Sequence, residues 1–264
     1  MKRSTKRRLR QGGLYAVLLG AIALILLTVD GQAVRDNFWS AGANENWHDL
    51  IFIGAKNTII YTAIAFSLGL ALALVLALMK LSSVAPYRWL ATAYIELFRG
   101  LPALLTILLM AFGVPIAFDW RPPGGLAGAG VVGLVIVAAA YMAETLRAGI
   151  QAVPKGQVEA ARSLGMSSGA TYVKVVIPQA FRLIIPPLTN EFVLLVKDTS
   201  LLAIVGATLD SRELINVARD LTGSGVTAGT STALTQVGIL YLVITLPLTQ
   251  LVAWLEKRQR KATR

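Results

Sequence analysis

The stretch EAARSLGMSSGATYVKVVIP, residues 159–178, is rich in small and polar side chains and lies between two strongly apolar parts of the chain. The whole sequence of 264 residues is 55% hydrophobic and only 15% charged. Soluble domains carry about 25% charged residues. The composition therefore predicts an integral membrane protein, in which a polar segment of this length requires an explanation of its own.

Six apolar stretches surround this segment, and about 20 apolar residues are enough to cross a bilayer as a helix. Runs this long satisfy their backbone polar groups within one helix, whereas the strands of a membrane barrel are shorter and alternate in polarity. The first run follows a basic start without a clear cleavage site, and we interpret it as a retained helix. The sequence predicts an all-α integral membrane protein with about six transmembrane helices, at 14–29, 51–79, 102–118, 130–147, 187–207 and 236–255.

Charged residues between the apolar stretches predict the orientation of the chain. Segment 30–50 carries four acidic residues against one arginine, whereas 80–101 and 148–186 carry an excess of basic residues. Both chain ends are also basic. Since cytoplasmic segments are enriched in Lys and Arg, we expect these two segments and both termini in the cytoplasm, which requires an even number of spans.

The net charge of +11 comes largely from the two ends, which read MKRSTKRRLR and EKRQRKATR. Each basic cluster flanks an apolar run, as expected for residues at a membrane surface. This placement favours contact with anionic membrane lipid and argues against binding to nucleic acid.

Catalytic and metal-binding constellations are missing from the sequence. The chain has no cysteine and a single histidine, His48, so that thiolate nucleophiles, disulfides and the usual zinc sites are excluded. No stretch matches G-x-x-x-x-G-K-[ST], the phosphate-binding loop of many ATPases. We therefore predict no catalytic residue, metal site or cofactor in this chain, and any ATP that it uses must be bound by another subunit.

Ionisable residues within the apolar stretches are the candidates for a substrate pathway or a gate. Glu144 and Arg147 lie in AYMAETLRAG, and Glu191, Lys197 and Asp198 lie in TNEFVLLVKDTSLLAIVG. Charges at membrane depth are costly, are expected to be paired, and often mark a polar pathway. The alternative is a structural ion pair, which the spacing of Glu144 and Arg147 permits. Lys197 and Asp198 are adjacent and do not face each other, so we expect their partners on other helices or another chain.

Turn-forming residues divide the long segment 148–186 into short helices. We expect a helix at 157–164, ended by Gly165 in the left-handed conformation. A second helix is expected at 168–177 and ends at Pro178. The pair Pro186-Pro187 is expected to mark the start of the fifth span, because proline is tolerated in a first helical turn.

The pattern E-A-A-x3-G-x9-[IV]-x-[LI]-P is matched by residues 159–178. This stretch resembles the EAA loop of permease subunits of bacterial ABC importers. Three further stretches resemble the polar amino-acid branch of that family, and the likeness extends from about residue 53 to 255. They are IELFRGLPALL, AYMAETLRAGIQAVPKGQ and PPLTNEFVLLVKDTSL.

The resemblance implies the fold of an ABC type I importer permease in the bacterial plasma membrane. Residues 1–50 would form a cytoplasmic basic N-terminus, an additional transmembrane helix and an outer loop. Residues 51–255 would form the permease domain with a coupling loop at about 148–186, and residues 256–264 would form a basic cytoplasmic tail.

The resemblance also implies partners. Two permease subunits, identical or similar, would form the pathway for a small amino acid that an extracytoplasmic substrate-binding protein delivers. Two cytoplasmic ATPase subunits would bind ATP and Mg²⁺. The EAA loop would be a coupling helix in a groove of the ATPase, and the residues that it offers are Glu159, Ala160, Ala161, Arg162 and Gly165.

One alternative function shares the six predicted spans and the charges within them. A self-contained secondary transporter, driven by an ion gradient, would carry a small zwitterion. The ionisable residues within the spans could relay the coupled ion in such a transporter. That alternative does not account for the spacing of the EAA pattern. The substrate also stays open between a polar amino acid and a close derivative such as a betaine, an opine or cystine.

Overall fold

The computed structural model describes residues 3–262, with side chains at 11–24 and 28–259, and these residues form helices and turns without a β-strand. The α-helices in chain order are α1 (Arg3–Thr28), α2 (Gly31–Phe38), α3 (Trp47–Asp49), α4 (Lys56–Leu81), α5 (Ala85–Gly100), α6 (Ala103–Leu108), α7 (Val114–Phe118), α8 (Gly125–Gln151), α9 (Lys155–Ser163), α10 (Ser168–Thr171), α11 (Ile177–Asp198), α12 (Leu214–Ser224) and α13 (Thr232–Ala262). The described residues also include π-helical segments at Leu50–Ala55, Leu109–Gly113 and Tyr172–Val176, and 3-10 segments at Ala43–Asn46, Thr199–Ile204 and Leu209–Ser211. The predicted all-α fold class is confirmed.

Helix α8 forms the centre of the bundle and packs on α4, α5, α6 and α11. Its small residues allow the neighbours to approach closely. A Cβ added to Gly133 would lie 2.8 Å from the Cα atom of Ile107 in α6. On the other side, a Cβ added to Gly69 of α4 would lie 2.8 Å from the terminal methyl of Met142 in α8. Glycine on one helix thus meets a large side chain or the backbone of the next.

Contacts between helix termini define two ends of the bundle. At the first, which we call the α12 end, the backbone N–H of Leu214 donates to the hydroxyl of Thr58 near the start of α4. At the other, the α9 end, Lys80 in the last turn of α4 reaches Glu144 near the end of α8. Helices α4 and α8 therefore run in the same direction, and α5–α7 return the chain between them.

Among the residues that the structure describes, three helical stretches are long and apolar enough to cross a membrane, and they are Gly31–Leu81, Gly125–Gln151 and Thr232–Gln259. Helices α5 and α6–α7 meet at 106° and together have the composition of one broken span. The protein is therefore a multi-pass membrane protein, whereas the count of six spans stays a prediction.

Two predicted segments differ from the observed elements. The fifth predicted span, 187–207, is not one α-helix, because α11 ends at Asp198 and the 3-10 segment Thr199–Ile204 follows. The basic segment 80–101, treated as a connection in the sequence, is mostly helix α5. Of the first predicted span, the described apolar part is the shorter stretch Gln11–Leu24.

The prolines of α11 do not end helices as the sequence suggested. The prediction that Pro178 terminates a helix is wrong, because the helix continues from the π-helical segment Tyr172–Val176 through Pro178, which lies in the first turn of α11. Pro186 and Pro187 do not lie in a first helical turn as expected, since both lie inside α11, and the start of the fifth span at this pair stays a prediction. Pro186 leaves the carbonyl of Arg182 without its usual helical donor. The side-chain amide of Gln259 in α13 donates to that carbonyl instead.

The close approach at Gly133 yields a prediction about stability. Gly133→Ala pushes a methyl group into the backbone of α6 at Ile107, so we expect the free energy of unfolding to fall by about 1–3 kcal/mol. Thermal unfolding of the purified chain in detergent measures the change. Gly238→Ala is the matched control, because nothing lies within 4 Å of the added Cβ on α13. Equal melting temperatures for the two variants would contradict the packing described for α8.

Candidate functional site

The turn that follows α9 is built by backbone hydrogen bonds. Pro154 precedes the helix at its N-terminal cap, and Gly165 after its end adopts a left-handed φ of 83°. The N–H of Gly165 donates to the carbonyl of Arg162 at 3.0 Å, and the N–H of Met166 donates to that of Ala161 at 3.1 Å. This pair of bonds is a Schellman motif. The predicted role of Gly165 as a left-handed cap is confirmed, and the predicted helix 157–164 corresponds to α9.

Side chains of α9 separate into an exposed and a buried set. Glu159, Ala160 and Arg162 are exposed, whereas Ala161 is buried against the chain's own helices. Only Ala160 of the two alanines is thus available for a close contact with another subunit. Leu164 has 85% of its surface exposed, although leucine usually lies in a core. The sequence did not single out Leu164, because the EAA pattern leaves its position open.

Hydrogen bonds between residues close in sequence order the rest of the turn. The guanidinium of Arg162 donates to the carbonyl of Met166 at 2.6 Å. The hydroxyl of Ser167 caps α10 by accepting from the N–H of Ala170 at 3.3 Å, and the hydroxyl of Thr171 donates to the carbonyl of Ser167 at 2.9 Å. We call residues 155–171 the α9 turn. It follows α8 directly and continues through one π-helical segment into α11, so it joins two helices of the bundle.

Glu144 lies in an ion-pair cluster near the α9 end. The ammonium of Lys80 donates to one carboxylate oxygen of Glu144 at 3.2 Å, and Arg147, one turn further along α8, pairs with both oxygens. Lys80 also lies 3.8 Å from the carboxylate of Glu96 in α5. The cluster ties α4, α5 and α8 together. The structural ion pair that the i, i+3 spacing permits is therefore present, and a role of Glu144 in the pathway stays a prediction.

The pathway candidates on α11 are not brought into one cluster. Within the described part of the chain, no oppositely charged group lies within 4.0 Å of Glu191, Lys197 or Asp198. Lys197 is exposed, whereas Glu191 and Asp198 are partly buried and, at seven residues apart, share one face of the helix. Arg99, which the sequence analysis missed, stacks over the ring of Tyr141 at 5.6 Å.

A buried glutamate at the α12 end was also missed. Glu213 has 0% exposure and lies between the fifth and sixth predicted spans. Its carboxylate caps α12 by accepting from the N–H groups of Ile215 and Asn216 at 2.8 and 2.7 Å, and the hydroxyl of Tyr241 lies 3.4 Å away. Burial raises the pKa of Glu213 to about 7. An acidic residue directly before an apolar helix is the sequence signal of such a cap.

Comparisons with known proteins agree on one family. Residues 65–261 match the family described as binding-protein-dependent transport system inner membrane component. The probable glutamine ABC transporter permease protein GlnM of Bacillus subtilis (strain 168) is 39% identical over 209 residues, which cover 79% of this chain and 93% of the relative. The L-cystine transport system permease protein TcyB of the same organism is 39% identical over 171 residues, which cover 64% and 67%.

A solved structure is similar over most of the chain. It is described as the crystal structure of an amino acid ABC transporter with histidines, and it superposes with a TM-score of 0.70 at 33% identity. The match covers 88% of this chain and 99% of that one. The α9 turn, the central helix α8 and α11 all lie within the residues that match the family.

Burial of Glu213 predicts a pH dependence of stability. The carboxyl group has a pKa of about 7 in the folded chain and about 4.5 when exposed by unfolding, so the folded state binds the proton more tightly. Proton binding by Glu213 therefore adds about 3 kcal/mol to the free energy of unfolding. This stabilisation is complete below about pH 4.5 and is lost as the pH rises towards 7. In the wild type, the melting temperature should fall between about pH 4.5 and 8, and Glu213→Gln should remove this fall. The exposed Glu159→Gln is the control, and an unchanged pH slope in Glu213→Gln would refute the assignment.

Proposed function

Because the chain belongs to the family of binding-protein-dependent transport system inner membrane components, we propose that it is the transmembrane permease subunit of an ATP-binding cassette importer for a polar amino acid or a close derivative. Relatives that are named as permeases for glutamine and L-cystine support this substrate class. The family favours this function over a self-contained, ion-coupled secondary transporter, which would share the apolar spans and the charges.

The observation that carries the proposal is the exposed α9 turn. A separate ATPase subunit, which holds ATP and Mg²⁺, receives this turn in a groove. Glu159 offers a carboxylate to donors of the ATPase, and Ala160 permits a close approach of the helix backbone. Leu164 supplies a large apolar contact, and burial of a leucine contributes about 1.5–3 kcal/mol. Gly165 allows the chain to reverse directly behind this surface.

Transmission of the ATPase motion follows from the order of the helices. The α9 turn is hydrogen-bonded within itself and is joined to α8 on one side and to α11 on the other. A displacement of the turn therefore moves α8 and α11 as packed bodies, in the manner of hinge and shear motions. On α11 the motion reaches Glu191, Lys197 and Asp198, which we assign to the substrate pathway or its gate.

The assembly consists of two permease subunits, two ATPase subunits and an extracytoplasmic substrate-binding protein. The α9 end faces the cytoplasm of a bacterium, together with both termini, and the α12 end faces outward. The basic excess of 148–186 and of the chain ends supports this orientation.

Charge reversal on the α9 turn tests the proposal. The tagged chain is purified from the membranes of its native host in mild detergent, and co-purified ATPase activity and reconstituted amino-acid uptake are measured. Glu159→Lys should lower both by about tenfold, because it places a like charge against the donors of the ATPase groove. Glu256→Lys makes the same change on the exposed last part of α13 and should behave as the wild type.

Two results would contradict the proposal. One is wild-type ATPase recovery and uptake in Glu159→Lys. The other is uptake by vesicles that contain the purified chain, no ATPase subunit and only an ion gradient, since that would establish a secondary transporter.

A further inference from the structure

A cavity of about 420 Å³ opens between α11 and α13 at the α9 end. It lies beside the last turns of α13, where this helix leaves its apolar part and becomes basic. Each of the two helices contributes both apolar and polar residues to the cavity. Its lining consists of Arg182, Ile185, Pro186, Leu255, Arg258 and Gln259.

The hydrogen bonding of α11 is interrupted beside this cavity. Pro186 has no N–H to donate to the carbonyl of Arg182. Gln259 reaches across from α13 and donates its side-chain amide to that carbonyl. The helices are therefore joined here by a long polar side chain and not by close apolar packing, and the cavity remains beside this link.

Two guanidinium groups give the cavity its charge. Within the described residues, no carboxylate lies within 4.0 Å of Arg182 or Arg258. The guanidinium of Arg258 stacks over the ring of Trp254, one turn earlier on α13, at 5.4 Å. Tryptophan is enriched at membrane–water interfaces, so the stack places Arg258 at the level of lipid headgroups. The forked donors of guanidinium match the oxygens of a phosphate group.

We propose that this cavity binds the headgroup phosphate of an anionic phospholipid, with the acyl chains along Ile185 and Leu255. Basic pockets between transmembrane helices have the chemistry that such headgroups require. A phospholipid fits better than a soluble anion because the apolar residues Ile185, Pro186 and Leu255 line the cavity together with the arginines. The lipid occupies the space beside Pro186 and braces the base of α11 against α13. This site is independent of which subunit docks on the α9 turn.

Lipid retention by the purified full-length chain tests the site. The chain is delipidated in detergent and supplied with phosphatidylglycerol or with phosphatidylcholine of the same acyl chains, and bound lipid is counted by native mass spectrometry. The wild type should retain phosphatidylglycerol about tenfold better than phosphatidylcholine, because the two arginines attract the net negative headgroup. The melting temperature should rise with phosphatidylglycerol and not with phosphatidylcholine.

Two variants and one control separate the site from general surface charge. Arg182→Gln combined with Arg258→Gln should lose the tenfold preference. Leu255→Trp keeps both charges and fills the cavity, so it should also lose retention. Arg88→Gln combined with Lys257→Gln removes the same number of charges outside the cavity lining and should retain the wild-type preference.

Several results would overturn the proposal. The first is equal retention of phosphatidylglycerol by the wild type and the double arginine variant, and the second is equal retention of both lipids by the wild type. If inorganic phosphate raised the melting temperature as much as phosphatidylglycerol does, the site would bind a soluble anion rather than a lipid. Loss of co-purified ATPase from the arginine variant, with lipid retention unchanged, would assign the arginines to a protein contact.

Discussion

The close packing of α8 against its neighbours is the constraint on which the rest of the bundle depends. Glycine positions on α4 and α8 bring backbones and large side chains within van der Waals contact, so α8 cannot shift without moving α4 and α6. Near the α9 end, the cluster of Lys80, Glu144 and Arg147 adds a charged link between α4 and α8. The α9 turn follows this closely packed helix, so a displacement of the turn that moves α8 also moves the helices packed on it.

Helix α11 combines features that permit bending with the charges that we propose for the substrate pathway. It continues from the α9 turn without a flexible connection, it contains Pro186 and Pro187, and it carries the charges at positions 191, 197 and 198. Proline removes helical hydrogen bonds and so permits bending at one place. In the proposed importer, motion of the turn would reach the proposed pathway charges through this helix, and the cavity lies beside Pro186.

The sequence was sufficient for features that depend on local rules. It yielded the helical class from the apolar runs, the α9 helix, and the left-handed conformation of Gly165, since each follows from composition, spacing or the conformational freedom of glycine. It was not sufficient where tertiary contacts decide. The continuation of α11 through Pro178 and Pro186 depends on a preceding π-helical segment and on a donor from α13. Burial of Ala161 rather than Ala160 depends on how α9 packs on the segments that follow it, and burial of Glu213 depends on contacts such as that with Tyr241 in α13.

The most direct measurement of the central claim is protection of the α9 turn by its partner. Because the chain has no cysteine, Leu164→Cys introduces its single thiol on the exposed turn, and Leu209→Cys places one at the α12 end on a leucine with 71% exposure. Under the proposed function, assembly with the ATPase should slow labelling of Cys at position 164 by a water-soluble maleimide by about tenfold or more and leave labelling at position 209 unchanged. Equal labelling of position 164 with and without the ATPase would contradict it.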